Sequence, residues 1–304
     1  MSPTTDTIES VLLPTDGSDG ALVGAKRGAD LAAMADATVH VLSVVDASAI
    51  EGVASVLESD LDEQRAALED DAESAVASVS SMVQDRYPDC EVTTTTDRGR
   101  PFRVIDRYVE ENDIDVVAMG TKGRTGVRRV VLGSVTENVL RTVEAPILVV
   151  PPAASDAPLT EDTVRNVLLP TDGSDGAAVA VDWGLALATA FDAMTHAIYS
   201  VDTRRFSPQA EPGEILAELE RPGEDALESV RERARERGCS LTGTIATGPP
   251  ARVVLDYADG NDIDLIAMGT HGRSGLERHF LGSVTENVVR NAELPVVCVP
   301  MSGA

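Results

Sequence analysis

The chain has 304 residues, about two domains of average size, and its apolar fraction of 43% is enough for ordinary globular cores. Its 51 acidic and 25 basic residues give a formal charge of −26, which argues against nucleic acid or anionic lipid as a main partner. No apolar run reaches the roughly 18 residues of a membrane span, and the first residues lack the pattern of a secretory signal. We therefore expect a cytoplasmic protein with no membrane partner.

The first half of the chain alternates short β-branched runs with longer alanine-rich runs. Ser18 or Asp19 can cap the first predicted helix, and Pro101 suits the first turn of the third. This alternation predicts a parallel, doubly wound α/β sheet, in which ligands bind at the carboxyl ends of strands where the strand order reverses. The predicted strands are 11–14, 38–45, 91–96, 114–119 and 146–150, and the predicted helices are 19–35, 59–86, 101–112 and 134–143.

The second half of the chain repeats the first. Residues 11–21 recur without a change at 167–177, and residues 112–151 match residues 261–300 without a gap. A repeat of this length is domain-sized and far longer than the unit of a solenoid. The same fold is therefore expected twice.

The repeat also predicts how the chain is divided. We expect one domain at residues 1–152, a second at residues 164–304, and a linker at 153–163 with the Pro, Ala and Ser content typical of such segments. The copies differ most at 203–224, where several prolines predict a loop over the site or an exposed excursion. A helix that begins near Gly223 should follow it.

A glycine-rich pattern follows the fourth predicted strand of each copy. Glycines let a backbone approach a ligand closely, and the unpaired N–H groups of a helix start favour an anion. The hydroxyls of the following serine and threonine add donors for phosphate oxygens. Both copies therefore predict a phosphate-binding loop at the ligand edge of the sheet. The pattern is Gly120-x2-Gly123-x9-Gly133-Ser134-x-Thr136, and it recurs as Gly269-x2-Gly272-x9-Gly282-Ser283-x-Thr285.

A purely structural role for these residues is the alternative. Ser134 can cap the helix while Glu137 closes a capping box, a pattern that Ser283 and Glu286 repeat. Asp16 lies in a stretch typical of a turn. The chain has no P-loop motif, and no dinucleotide-binding glycine motif follows its first strand, so those two classes of protein are unsupported.

The basic residues of the loop differ between the copies. Arg124 recurs as Arg273 and is a candidate phosphate ligand, whereas Lys122 becomes His271 and a further arginine becomes glutamate. Since a phosphate group is anionic, each lost cation should weaken its capture by ~1 kcal/mol if exposed. We expect the first copy to bind a phosphate-bearing ligand more tightly than the second.

Cysteine and histidine give no sign of a metal site. Cys90, Cys239 and Cys298 form no CxxC pair, and we expect them to be reduced and at least partly buried. His40 and His196 occupy equivalent strand positions, and we expect both to be partly buried with hydrogen-bond partners.

With the glycine pattern, the Pro-Thr-Asp-Gly-Ser opening of each copy and the repeat in hand, the chain resembles a tandem universal stress protein of the UspA family. The match covers nearly the whole chain. The resemblance implies two Rossmann-like domains of the adenine nucleotide alpha hydrolase type, each a five-stranded parallel sheet with helices on both faces. Members with the complete glycine pattern generally bind ATP.

The resemblance assigns nucleotide-binding roles to matching residues of the two copies. The adenine would lie beside the opening strand and the end of the second strand, and the phosphates beside the glycine loop. Asp16 and Asp172 would contact the ribose or, through water, a Mg ion on the phosphates, with no direct metal ligand and no catalytic residue. The set is Pro14, Thr15, Asp16, Val44, Gly120, Gly123, Arg124, Gly133, Ser134, Val135 and Thr136, and Pro170, Thr171, Asp172, Ser200, Gly269, Gly272, Arg273, Gly282, Ser283, Val284 and Thr285.

The function implied is a stress-response module regulated by a bound adenine nucleotide, with ATP favoured but AMP or a cyclic nucleotide open. The alternative is an enzyme of related fold: a slow ATPase, an autokinase or a ligase of the ATP-pyrophosphatase type. That last class carries S-G-G-x-D-[ST] after the first strand, where this chain has Asp16-Gly-Ser-Asp-Gly-Ala21. The runs 146–150 and 295–299 resemble the dimerisation strand of the family, which predicts an intramolecular pseudo-dimer and allows a further homo-oligomer; the alternative is an ordinary edge strand protected by its proline.

The charge balance generates a first testable prediction. Arginine far outnumbers lysine, which occurs only as Lys26 and Lys122, and this acid-rich composition resembles proteins of salt-loaded cytoplasm. Self-repulsion should destabilise the fold at low salt and be screened at molar salt, where the Debye length is about 3 Å. The melting temperature should therefore fall on dilution from molar to 0.1 M salt; a constant value across that range would contradict this.

Overall fold

The computed structural model describes residues 8–46, 58–121, 132–154, 157–202, 212–272 and 281–301. The chain divides into two compact units, an N-terminal unit of Asp6–Leu159 and a C-terminal unit that begins at Thr160. Each unit has its own apolar core, formed by buried residues of the strands and of the helices packed on them. Within the described ranges, no helix combines the length and apolar character needed to cross a bilayer.

The N-terminal unit alternates strands and helices in the predicted order. Every element predicted for this half is confirmed, with bounds that shift by a few residues at most. Its strands are β1 (Ser10–Thr15), β2 (Thr38–Asp46), β3 (Val92–Gly99), β4 (Val116–Gly120) and β5 (Ile147–Val150). Its helices are α1 (Asp19–Ala35), α2 (Glu58–Arg86), α3 (Pro101–Glu111) and α4 (Ser134–Thr142), followed by a short 3-10 helix at Pro152–Ala154.

The strands of this unit form a parallel sheet in the order β3-β2-β1-β4-β5. The order reverses between β1 and β4, because β2 pairs with one side of β1 and β4 with the other. The carboxyl ends of these two central strands, at Thr15 and Gly120, therefore flank the crevice where a doubly wound sheet binds its ligand.

The C-terminal unit repeats this architecture. Its parallel sheet has the order β10-β9-β6-β7-β8 and reverses between β6 and β9, so the predicted α/β fold class is confirmed in both units. Its strands are β6 (Asn166–Pro170), β7 (Met194–Val201), β8 (Leu241–Thr247), β9 (Leu265–Gly269) and β10 (Val296–Val299). Its helices are α5 (Asp175–Ala190), α6 (Pro212–Glu236), α7 (Pro250–Gly260) and α8 (Ser283–Asn291).

The first helix of each unit begins as its sequence predicts. The Ser18 hydroxyl oxygen accepts a hydrogen bond from the Ala21 amide at 3.1 Å, which satisfies one of the unpaired donors of the α1 start. Ser174 does the same for α5, accepting from the Ala177 amide at 3.3 Å. These caps fix the residue at which each first helix, α1 or α5, begins after the strand β1 or β6.

Helix α6 corrects one prediction from the sequence. We expected a helix start near Gly223, but α6 begins at Pro212 and continues through Pro222. Proline is tolerated in the first turn, whereas inside a helix it removes one hydrogen bond. The packing of α6 against β7 and β8 outweighs that local cost, so tertiary contacts override the breaker signal.

The equivalent histidines of the two units are partly buried and hydrogen-bonded, as predicted. His40 Nδ1 lies 3.1 Å from the Tyr108 hydroxyl, and His196 Nδ1 lies 3.1 Å from the Tyr257 hydroxyl. Burial lowers the pKa of both imidazoles below the ordinary 6.5, so each is neutral at neutral pH. They hold α3 and α7 against the sheet, and His196 Nε2 also lies 3.2 Å from Asn166 Oδ1 in β6.

The cysteines also match their prediction. Cys90 and Cys239 are free and half-buried, and Cys298 is free and fully buried in β10. Burial raises the pKa of the Cys298 thiol, which keeps it in the protonated, unreactive form.

A buried network of charged residues connects α1 to the segment after β5, and the sequence patterns do not predict it. Arg27 and Asp30 are each only 2% exposed. The Asp30 carboxylate accepts hydrogen bonds from Arg86 Nε at 3.0 Å, the Tyr87 hydroxyl at 2.7 Å and the Leu159 amide at 2.9 Å. Arg27 pairs with Asp30 at 3.3 Å and donates to the carbonyl of Ala157. The charged groups of Arg27, Asp30 and Arg86 contact one another inside this unit. Together with the contacts to Ala157 and Leu159, they hold the end of the unit against α1.

Asp30→Ala should be strongly destabilising, because it leaves the buried Arg27 guanidinium without its carboxylate partner. Loss of one member of a buried ion pair typically costs about 3–5 kcal/mol. Asp19→Ala, at an exposed position in the first turn of α1, is the control and should cost roughly 1 kcal/mol or less. Urea unfolding at fixed salt, followed by circular dichroism, compares the two; equal midpoints would contradict the role given to Asp30.

Candidate functional site

The C-terminal unit has a cavity of about 480 Å³ at the carboxyl ends of β6, β7 and β9. It lies at the switch point of the sheet, where the strand order predicts a ligand site. Neighbouring parallel strands lie about 4.8 Å apart, so a cavity that reaches from β9 across β6 to β7 is roughly 10 Å long. Ten of the residues predicted from the sequence line it: Pro170, Thr171, Asp172, Ser200, Gly269, Gly272, Gly282, Ser283, Val284 and Thr285. Arg273 lies outside the described residues.

One end of this cavity is the start of helix α8. Gly282 is the N-cap residue, with φ −58° and ψ 136°, and makes no side-chain cap. The first intrahelical hydrogen bond is donated by the Glu286 amide to the Gly282 carbonyl at 2.9 Å. The three preceding amides, of residues 283–285, have no acceptor within the helix and therefore favour an anion in front of them.

The capping box is not formed at either helix start, which removes the structural alternative for these serines. Ser283 is the first residue of α8 rather than its cap, and the Glu286 carboxylate accepts from Arg290 at 2.9 Å instead of closing a box. In the N-terminal unit Gly133 is likewise the cap of α4, and Glu137 pairs with Arg141 at 2.8 Å. The helix ends therefore offer their amides to whatever lies in the crevice.

The threonines of the pattern correct a second prediction. We expected their hydroxyls to donate to phosphate, but Thr136 Oγ1 donates to the Gly120 carbonyl at 2.9 Å and Thr285 Oγ1 to the Gly269 carbonyl at 2.7 Å. Both side chains are buried, so each hydroxyl fastens the helix start to the end of the central strand. Only the threonine amides remain as possible donors to an anion.

The glycines of the loop are needed because the backbone is crowded there. A Cβ atom added to Gly282 would lie 2.9 Å from the Thr270 carbonyl oxygen, to which the Gly282 amide donates at 2.8 Å. A Cβ atom on Gly272 would lie 2.7 Å from Asp172 Oδ2. The cradle in front of α8 is therefore shaped by bare backbone, which fits a phosphate chain.

The aspartate that follows the first strand of each unit has a turn role as well as a place in the crevice. Asp172 Oδ1 accepts from the Ser174 amide at 3.0 Å and from its hydroxyl at 2.6 Å, and Asp16 makes the same pair of contacts with Ser18. The other carboxylate oxygen of Asp172 faces Gly272. The turn interpretation is thus confirmed, and the carboxylate is held at the mouth of the cavity.

The opposite end of the cavity is formed by the end of β7 and the start of α7. Pro14 pairs with Leu42 and Pro170 with Ile198, so Ser200 occupies the position of Val44, as the sequence register assumed. The Ser200 hydroxyl donates to the Gly248 carbonyl at 2.8 Å. The sequence analysis did not identify most of the residues at this end of the cavity. The feature that could have indicated them is the run of β-branched and aromatic residues at the end of the strand. The lining residues it did not single out for the site include Ile198, Tyr199, Val201, Asp202, Pro222, Pro250, Val254 and Met268.

His271 replaces a lysine of the first copy and also lines the cavity. Its Nδ1 lies 2.9 Å from Thr270 Oγ1. Burial lowers the pKa of His271 below 6.5, so the imidazole is neutral at neutral pH and provides no fixed cation to an anionic ligand.

The N-terminal unit places its own set in the same way. Pro14 and Thr15 end β1, Gly120 ends β4, and Gly133, Ser134, Val135 and Thr136 open α4. The Gly133 amide donates to the Thr121 carbonyl at 2.8 Å, the contact that Gly282 makes with Thr270. A Cβ atom on Gly120 would overlap the Gly20 carbonyl oxygen, so this glycine serves the close packing of α1. Gly123, Arg124 and Lys122 lie outside the described residues.

Comparison with known proteins defines the class. The model of the universal stress protein family matches residues 7–151 and again residues 163–300, so the chain belongs to the universal stress protein family and carries its domain twice. It is 39% identical over 142 residues to universal stress protein MJ0531 of Methanocaldococcus jannaschii, covering 46% of this chain and 84% of that protein.

Some relatives match over nearly the full length. Universal stress protein Slr1230 of Synechocystis is 26% identical over 307 residues, covering 95% of this chain and 99% of the relative. The crystal structure of a universal stress protein from Archaeoglobus fulgidus covers 98% of this chain and 100% of its own, with a TM-score of 0.74 and 22% identity, which supports the fold. The tandem arrangement therefore occurs in other members.

The threonine contact generates a prediction about stability. Thr285→Val keeps the side-chain volume but removes the hydroxyl, leaving the part-buried Gly269 carbonyl without this donor, and should cost about 1 kcal/mol. Ser283→Ala, at the exposed first position of α8, is the control and should change stability by less than roughly 0.5 kcal/mol. Chemical unfolding of both variants measures the difference; equal costs would show that the Thr285 hydroxyl does not fasten the helix.

Proposed function

We propose that this universal stress protein is a regulatory module that binds an adenine nucleotide, with ATP as the favoured ligand, in the crevice of each unit. The observation that carries the proposal is the start of α8: a glycine cap without a side-chain acceptor, three amides without intrahelical partners, and a bare-backbone cradle in front of them. Such a helix end stabilises a phosphate through both its N–H groups and its dipole. The same cap geometry recurs at α4.

The cavity supports a ligand with one anionic end and one apolar end. Its volume of about 480 Å³ falls in the range of small-molecule sites. The phosphates would lie against α8 and the ribose above the Pro170–Asp172 turn, while the base would lie among the side chains at the end of β7. A nucleotide has this order of polar and apolar groups, whereas a free phosphate would leave the apolar end unfilled.

Magnesium would enter this site with the phosphates rather than as a resident ion. Among the described residues no group of three His, Cys, Asp or Glu side chains is arranged to hold a metal. Asp172 lines the cavity with its carboxylate and fits the part of a single acidic contact, direct or through water, to a Mg ion on the nucleotide. The charge of the ion would offset the repulsion between Asp172 and the phosphates.

Binding without turnover fits the charged groups that line the cavity. Its described acidic side chains are Asp172, which holds the Ser174 turn, and Asp202 at the far end of β7. Phosphoryl transfer needs a group that positions a nucleophile in line with the terminal phosphate. Since Asp172 already accepts two hydrogen bonds from its own turn, we assign it to ligand contact and expect at most weak ATPase or autokinase activity.

Calorimetric titration of the full chain with ATP and Mg should reveal two sites. Gly282→Val should abolish the site of the C-terminal unit, because its side chain must displace the Thr270 carbonyl, and Gly133→Val should abolish that of the N-terminal unit. The site that remains in Gly282→Val should be the tighter one, because the first copy has Lys122 where the second has the neutral His271. Mass analysis of small molecules released from the purified protein identifies the nucleotide it carries.

Three outcomes count against the proposal. Absence of adenine nucleotide binding by the folded wild type would overturn it. An unchanged number of bound nucleotides in a variant that carries both Gly133→Val and Gly282→Val would do the same. A tighter site in Gly133→Val than in Gly282→Val would contradict the affinity order. Multiple-turnover ATP hydrolysis that both glycine variants lose would favour the enzymatic alternative instead.

A further inference from the structure

The two units differ at one packed pair of residues beside the crevice. Tyr199 near the end of β7 is 7% exposed and lines the cavity, whereas the equivalent residue of β2 is Ser43, which is 2% exposed. The equivalence follows from the strand register, because Leu42 and Ile198, one residue earlier, face the same proline of the first strand. A large aromatic ring thus stands in one unit where a small hydroxyl stands in the other.

The helix beside this position changes in the opposite sense. The buried residues of the two helices follow one spacing: Ala72, Ala75, Val76, Val79 and Val83 in α2, and Gly223, Ala226, Leu227, Val230 and Ala234 in α6. Gly223 therefore stands where α2 has Ala72. A Cβ atom on Gly223 would lie 2.7 Å from Cδ1 of the Tyr199 ring. The small residue on the helix makes room for the large one on the strand.

From this exchange we infer that Tyr199, seated on Gly223, is a specificity-determining residue for the base of the nucleotide in the C-terminal cavity, a role that Ser43 at the matched position of β2 cannot fill. This inference rests on the proposed function. Its position supports it, because β7 lies two strands from β9 and so at the end of the cavity away from the phosphate cradle. Pro222, the neighbour of Gly223, lines the same end.

The exchange compensates for what the phosphate end of this cavity lacks. His271 is neutral where the first copy has a lysine, so phosphate capture is weaker here. An aromatic ring interacts with a base through its π-face or edge and does not depend on charge. The C-terminal unit should therefore discriminate less between ATP and adenosine than the N-terminal unit does, since more of its affinity comes from the base.

The test uses the full chain, 8-azido-ATP and 8-azidoadenosine, with the labelled peptides of each unit mapped by mass spectrometry. Tyr199→Leu keeps an apolar side chain and removes the ring; it should raise the half-saturating concentration at the C-terminal unit about 10-fold for both probes. Tyr199→Phe keeps the ring and should stay within about threefold of the wild type. Labelling of the N-terminal unit should be unchanged in both variants, and circular dichroism checks that each is folded.

A second pair of variants tests the glycine on which the Tyr199 ring packs rather than the ring itself. Gly223→Ala must displace the Tyr199 ring from its present position and should raise the half-saturating concentration at the C-terminal unit several-fold. Ala72→Gly is the matched change in α2, where no ring is present, and should leave labelling of the N-terminal unit unchanged.

The outcomes separate the two proposals. If the wild type is labelled in neither unit, nucleotide binding itself fails and this inference fails with it. If the C-terminal unit is labelled but Tyr199→Leu leaves both half-saturating concentrations unchanged, the role of Tyr199 is wrong while the proposed function stands. Equal loss of labelling in both units would also overturn it, because the effect would then not be local.

Discussion

The site depends on two helices, α4 and α8, that begin without a side-chain cap. A serine or aspartate at the cap position would satisfy one amide and place a side chain in front of the helix. Gly133 and Gly282 do neither, and the following glutamates pair with arginines one turn along their own helices. Elsewhere in the same fold Ser18 and Ser174 cap their helices in the ordinary way. The uncapped starts of α4 and α8 lie at the ligand edge of the sheet, where the proposed nucleotide would supply the missing acceptor.

The sheet places that helix end, and the threonines hold it there. Because each strand order reverses between its two central strands, their carboxyl ends open the crevice in which a doubly wound sheet binds its ligand. Thr136 and Thr285 then fasten α4 and α8 to Gly120 and Gly269, the last residues of those strands. These two hydroxyls therefore connect the fold to the site. The threonines, which the sequence suggested as phosphate ligands, instead fix the direction of the amides at the helix starts.

The sequence predicts the fold and the glycine-lined end of the cavity well, because both depend on local patterns. Strand–helix alternation, serine caps and the glycine spacing each act within a few residues, and the repeat displays every pattern twice. What the sequence could not predict depends on tertiary contacts. Asp30 and Arg27 look like surface charges of α1 but are buried together, and Pro222 looks like a helix breaker although α6 continues through it. The packing of distant segments decides each of these.

The base end of the cavity was missed for the same reason, and the repeat explains how it could have been found. A pattern shared by both copies identifies what the fold and the phosphate cradle require, whereas positions that differ in a compensating way identify what each unit does separately. Tyr199 and Gly223 stand at the positions that Ser43 and Ala72 occupy in the first unit, a paired change that a comparison of the strands alone would read as an isolated substitution. Only the structure shows that the large residue and the small one are in contact. The two units share the geometry of the uncapped helix start, whereas the strand and helix positions beside the proposed base have diverged.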